Sequence, residues 1–185
     1  MAWNAPFTAI DGTIFTAAQF NTFVRDNILE TMPSKASVRG SLFATDASNR
    51  IAERTAATAI IQTGDHSESA GQAEGTSETQ YVDLPTTGPI VSVITGTQAW
   101  VALYCACLNS SGAAAWMSYD VSGATTSAAA DDRAVQLQNT GGQQVGALIL
   151  HNNLTPGLNT FTAKYRITSS GTGLFNQRRL AVQPL

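Results

Sequence analysis

Charge is what this sequence has least of. Asp, Glu, Lys and Arg make up 12% of its 185 residues, about half the usual share for a soluble domain. The ten basic side chains are scattered along a chain of net charge −3, so there is no positive patch of the kind that tracks phosphates, and no nucleic-acid partner is expected. No apolar run approaches the ~18 residues needed to cross a bilayer, so no membrane segment is expected either. The opening residues lack the charged-then-apolar order of a secretory signal, which points to a chain made in a cytoplasm.

Cysteine is nearly as scarce. Both residues lie in "YCACL" as Cys105 and Cys107, and positions i and i+2 of a strand share a face at a separation that strains any bridge. They are expected to be small core side chains, and no further Cys or His stands nearby at ligand spacing. The two histidines are His66, in the polar "DHSES", and His151, at the end of "GALILH". A solvated loop residue and a strand-edge surface or packing residue are expected, rather than general bases. No G-x-S-x-G elbow, P-loop or H-E-x-x-H is found. Asp131 and Asp132 in "AAADDRAV" have the makings of half a carboxylate pair or calcium site, but adjacent acids at a loop-to-strand junction are expected to be solvated. No enzyme activity, metal or cofactor is expected.

What the chain does contain begins with one well-marked helix in "FTAAQFNTFVRDNILETMP", residues 15–33. Thr16 and Gln19 have the spacing of a capping box, Phe15 and Phe20 that of a hydrophobic staple. Phe20, Phe23, Val24 and Ile28 fall on one stripe, and Pro33 stops the run. Ahead of it, "MAWNAPFTAIDGTIF" is apolar without a period and reads as an extended arm. Residues 1–33 thus form a first module of arm and helix. Residues 34–77 read as a hairpin, "VRGSLFATDASNRIAERT", followed by a polar linker in "GDHSESAGQAEGTSETQ".

From residue 78 to 185 short apolar runs recur between turn signals: "TQYVDL", "PIVSVIT", "AWVALYCACLN", "AAAWMSYDVS", "RAVQLQ", "VGALILH", "NTFTAKYRITS" and "RRLAVQPL". This pattern predicts a mainly β domain, an antiparallel β-sandwich of jelly-roll type. The strand "AWVALYCACL" is apolar on both faces, with Val101, Leu103, Cys105 and Cys107 on one and Trp100, Ala102, Tyr104, Ala106 and Leu108 on the other. The opposite sheet covers one face only. The second calls for another element, the N-terminal arm and helix, or a neighbouring subunit, and a subunit is the favoured cover. The aromatics Trp100, Tyr104, Trp116, Tyr119 and Tyr165 would suit a sugar platform, but all lie in predicted strands, where core or interface filling is the expectation.

Several segments carry a resemblance. "W-x-A-P-F-T-A", "FTAAQFNTFVRDNILETMPSKA", "GSLFATDASNRIAER" and the closing "NTFTAKYRITSSGTGLFNQRRLAVQPL" together resemble small virion proteins of tailed double-stranded DNA phages of actinobacterial hosts. The resemblance runs over nearly the whole chain. It implies a non-enzymatic structural component, often symmetric, attached to the head or tail of a particle. A capsid decoration protein is the leading expectation, and a minor tail or fibre protein touching host-surface glycans is the alternative. The partners expected are the major capsid protein or tail proteins, with self-association as a homotrimer whose avidity strengthens the hold. Trp3, Phe7, Phe20, Phe23, Val24 and Ile28 are the expected attachment residues, and Trp100 and Tyr104 belong to the second apolar face.

Overall fold

The computed structural model describes residues 8, 11–12, 14–29, 36–45, 50–61 and 73–185. The helix starts where its cap residues place it. Thr16 is extended, its Oγ1 accepts a hydrogen bond from Gln19 N at 3.2 Å, and Gln19 Oε1 accepts one from Thr16 N at 2.9 Å. The Phe15 and Phe20 rings meet edge to face at 6.2 Å, completing the staple. An α-helical turn, α1 (Ala17–Phe20), passes into a π-helical turn (Asn21–Arg25) and returns to α geometry in α2 (Asp26–Leu29). The wide middle turn is not encoded in a 3.6-residue period. The predicted stop at Pro33 lies outside the described residues, as do Trp3 and Phe7.

The hairpin forms as expected, with β1 (Leu42–Thr45) antiparallel to β2 (Ile51–Arg54) and Phe43 opposite Glu53. Its predicted turn, residues 46–49, lies outside the described residues. Glu53 ties the approach to β1. Its carboxylate accepts from the Ser37 and Ser41 hydroxyls, both at 2.5 Å, and from Val38 N at 3.0 Å. Those bonds, the Ser37 hydroxyl foremost, hold its pKa down at about 2.

The remaining strands are β3 (Ala57–Ile61), β4 (Glu74–Thr76), β5 (Ile90–Thr95), β6 (Ala99–Asn109), β7 (Ala114–Gly123), β8 (Val135–Gln138), β9 (Gln143–His151), β10 (Gly157–Ile167) and β11 (Gly173–Pro184). One sheet runs β3-β11-β6-β9, with β4 also on β11, and the other runs β5-β10-β7-β8. All pairings are antiparallel. β3 and β11 are neighbours, and the eight strands other than β4 follow jelly-roll order, changing sheet at each step except from β7 to β8.

The sandwich therefore starts before residue 78. β3 and β4 both come from the segment read as hairpin and linker, yet Leu180 pairs with Ala59 and Leu174 with Gly75. β4 is three residues of Glu, Gly and Thr. Its place on β11 comes from the partner strand rather than from any apolar pattern of its own. Conversely, "TQYVDL" contributes only a single bridge, from Val82 to Tyr165.

Alternation places the core between the sheets. Val101, Leu103, Cys105 and Cys107 of β6 face Met117, Tyr119 and Val121 of β7 and Phe161, Ala163 and Tyr165 of β10, all at 3% exposure or less. Both cysteines are free and buried. The buried amide of Asn159 is fully used: its Nδ2 donates to Thr95 Oγ1 at 2.7 Å and Thr155 O at 3.0 Å, and its Oδ1 accepts from Thr125 N at 2.7 Å. A buried polar side chain is tolerated on those terms.

Candidate functional site

β6 has one buried face and one open face. Its even-numbered side chains point away from the opposite sheet, where the registers with β9 and β11 build rows across the surface. Leu150, Trp100 and Gln183 form one row, Leu148, Ala102 and Ala181 the next, and Gly146, Tyr104 and Arg179 a third. Trp100 is 38% exposed, Leu148 65% and Leu150 37%. The stripe is uncharged until Arg179, whose guanidinium carbon lies 5.2 Å from the Tyr104 ring centroid, a cation–π distance. At Gly146 an added Cβ would stand 3.1 Å from the Leu103 carbonyl oxygen and in ordinary contact, 3.4 Å, with Tyr104 Cδ2, so the glycine eases the close approach of the β6 backbone rather than that of the ring.

Of the residues expected to mediate assembly, the structure gathers Trp100 and Tyr104 on this one face, separated by Ala102. On the helix, Phe20 and Ile28 are exposed, while Phe23 and Val24 are half-buried. The five aromatics weighed as a sugar platform do not share a surface. Tyr119 and Tyr165 are core residues with no exposure, and Trp116 lies on the outer side of the other sheet, opposite Arg166. There the Arg166 guanidinium sits 4.6 Å from the Trp116 centroid and 5.3 Å from that of Tyr81. Its Nη2 donates to Asp131 at 2.6 Å, and Tyr81 Oη donates to the same carboxylate at 2.9 Å. Asp131 is thus an ion-pair partner rather than half of an acid pair, and burial followed by the Asp131 hydrogen bond pushes Tyr81 up to about 12.

His151 is a packing residue, 4% exposed. Its Nδ1 and the Tyr119 hydroxyl share a 3.0 Å hydrogen bond, and its ring meets Phe161 edge-on. Burial, then the charge of Arg133, holds its pKa below the ordinary value. His66 lies outside the described residues. Among the described residues, no group of three or more His, Cys, Asp or Glu is arranged to hold a metal.

A second cluster escaped the sequence reading. Between Asn176 and Arg179 the β11 register slips by one against β6, with Gln177 at φ +47°. This β-bulge turns Arg178 inward, where it has no exposure. Its Nη2 donates to Glu74 at 2.8 Å and its Nη1 to Thr86 O at 3.1 Å, over the Tyr165 ring at 5.4 Å. Glu74 also accepts from Thr86 N at 3.0 Å and from the Thr86 hydroxyl. The signal was present in parity: Arg178 shares a strand face with Leu180 and Val182. For Glu74, set in a polar run, there was none.

No protein-family model matches the sequence, and no curated protein matches it. Solved structures do resemble the chain. An arabinose-bound α-L-arabinofuranosidase shares 14% identity over 81% of this chain and 24% of its own length, at a TM-score of 0.36; the chain spans about a quarter of that enzyme. A carbohydrate-binding module from the Cellvibrio mixtus lichenase 5A, in complex with cellotriose, shares 22% identity over 70% of this chain and 97% of its own, at 0.32. The C-terminal carbohydrate-binding module of a Zobellia galactanivorans laminarinase shares 11% over 69% and 99%, at 0.30. With every one of these TM-scores below 0.5, the likenesses carry no argument about what the chain binds.

Proposed function

We propose that the chain is a non-enzymatic structural protein of a tailed-phage virion, a capsid decoration protein that binds the assembled head through its N-terminal region and turns its β-sandwich outward. The observation that carries this reading is the open stripe of the helix. Phe20 is 49% and Ile28 60% exposed on their own chain, although cap and staple fix the turn that carries Phe20. Large apolar side chains left exposed at both ends of such a stripe are satisfied by a surface supplied from outside. The resemblance to actinobacterial phage virion proteins supports a particle surface, of head or tail, as the one supplied. A weakly charged sandwich suits a coat.

The test is occupancy. Virions grown with Phe20→Asp and Ile28→Asp should carry few or none of the copies found on wild-type particles, counted by quantitative mass spectrometry. Undiminished occupancy would sink the reading. A wild-type count of a few copies per particle, rather than one per lattice site, would move the chain to the tail. The exposure of Trp100 beside Tyr104 on one sheet face favours that second reading, a tail or fibre protein touching host glycans. It requires glycan binding that disappears in Trp100→Ala.

A further inference from the structure

β9 is the last strand of its sheet, and among the described residues its one ladder partner is β6. The register decides which of its backbone groups are free. Leu185 N donates to Gln98 O at 3.0 Å, so the even-numbered residues running into β6 aim their N–H and C=O groups at β11. Alternation turns the odd-numbered ones toward β9, where Val101 meets Ile149 and Leu103 meets Ala147. The backbone groups of Gln144, Gly146, Leu148 and Leu150 are therefore directed away from the sheet. They form a row of donors and acceptors about 20 Å long, at roughly 3.4 Å per residue.

Monomeric proteins shield such an edge with lysine, proline, a bulge or a short strand. β9 has none of these. Its nine residues, "QQVGALILH", include no Lys, Arg, Asp, Glu or Pro, and its register with β6 is unbroken. The side chains on its outer face, Leu148 and Leu150, are exposed beside Trp100.

We propose that β9 is a self-association edge, on which two copies of the chain pair β9 to β9, antiparallel about a two-fold axis at Ala147. The occupant is a second copy because the strand is complementary to itself in that register. All nine residues overlap. Gly146 of one copy faces Leu148 of the other and Gln144 faces Leu150, so the residues with free backbone groups are the ones that meet. On the inner face, Val145 meets Ile149 and Ala147 meets Ala147. On the outer face the leucine seats against a glycine, and the two Leu148 side chains become diagonal neighbours at about 7–8 Å. No like charges meet across the axis, although each chain carries a net −3. An isologous strand pair closes at two copies, in place of the three-fold arrangement expected from the sequence. The inference goes beyond the virion reading and does not depend on it.

The experiment is light scattering on the full chain in solution, with amide exchange as the locating measurement. A mass of about 39 kDa is expected, twice the 19.4 kDa of one chain. The amides of Gly146, Leu148 and Leu150 should be protected in concentrated protein and lose protection on dilution. Leu148→Lys places like charges across the axis and should weaken association at least about tenfold; the site is exposed, so the fold should persist by circular dichroism. A monomer at every concentration overturns the proposal, as does a trimer. Association with those three amides still exchanging fast in the wild type overturns it as well, whatever the variant does.

Discussion

Arg178 and Glu74 meet at 2.8 Å across a separation of 104 residues. The guanidinium is wholly enclosed, and the carboxylate side chain keeps 17% of its exposure. Together with Thr86 they tie β4 and the loop before β5 to the bulge of β11. Taking two charges out of water is costly, and the geometry repays it only while both are present.

Removing one partner should therefore cost far more than a surface pair would. Glu74→Ala is expected to destabilise the fold by about 3–5 kcal/mol, read as a lower urea midpoint at unchanged slope. Arg178→Met should cost less, because the carboxylate left behind is partly hydrated and retains its bonds from Thr86. A reversed order of the two variants would contradict this account.

Acid should act on the same pair. Burial pushes the Glu74 carboxyl up, but the Thr86 and Arg178 hydrogen bonds and charge outweigh it and leave the pKa below its ordinary 4.5. A depressed carboxyl contributes stability that is present above the unfolded value and lost as pH falls through the folded one. The melting temperature should therefore drop below about pH 4.5, and the drop should be shallower in Glu74→Gln. Comparing variant and wild type isolates this residue from Glu53, whose carboxyl is also held below its ordinary value.

His151 should respond at milder pH. Its folded pKa is lowered, so the unfolded chain takes up a proton first as pH falls through about 6.5. Stability should rise with pH across that window and sag between about pH 7 and pH 5. An NMR titration placing the folded histidine above its ordinary value would contradict the sign.

At the helix, Thr16→Ala removes the acceptor for Gln19 N. A loss of about 1 kcal/mol is expected, measured as faster amide exchange at Gln19 with the sandwich amides unchanged.

Gly96 tests the far end of β5. Its N donates to Leu185 O at 3.1 Å, and an added Cβ would stand 2.2 Å from that oxygen. Because the obstacle is backbone, Gly96→Ala should cost about 1–3 kcal/mol by overpacking, measured by thermal melting.

Much of the fold was legible in the chain. "AWVALYCACLN" marks β6 to both of its ends, an apolar run on both faces bounded by turn residues at Gly96 and at 110–112. The cap and staple of the helix were readable because they are local. β3 and β4 were not, because their pairing with β11 is decided about a hundred residues or more away. Trp100 and Tyr104 could be placed on one face from parity alone. Their neighbours Leu148 and Leu150 could not, because cross-strand register is invisible in a single segment. The π-helical turn and the bulge had no local signature.

That bulge also resets the alternation of the last strand. Before it, odd-numbered residues such as Phe175 face inward; after it, even-numbered Leu180 and Val182 do. The one inserted position thus works as a phase shift, delivering Arg178 to the interior and Arg179 to the Tyr104 ring outside. Deleting Gln177 would leave a plain strand in which Phe175, Arg178, Leu180 and Val182 alternate inward without interruption and the ladder with β6 closes with no slip, so the kink itself, rather than the side chains it sorts, is what that one residue supplies.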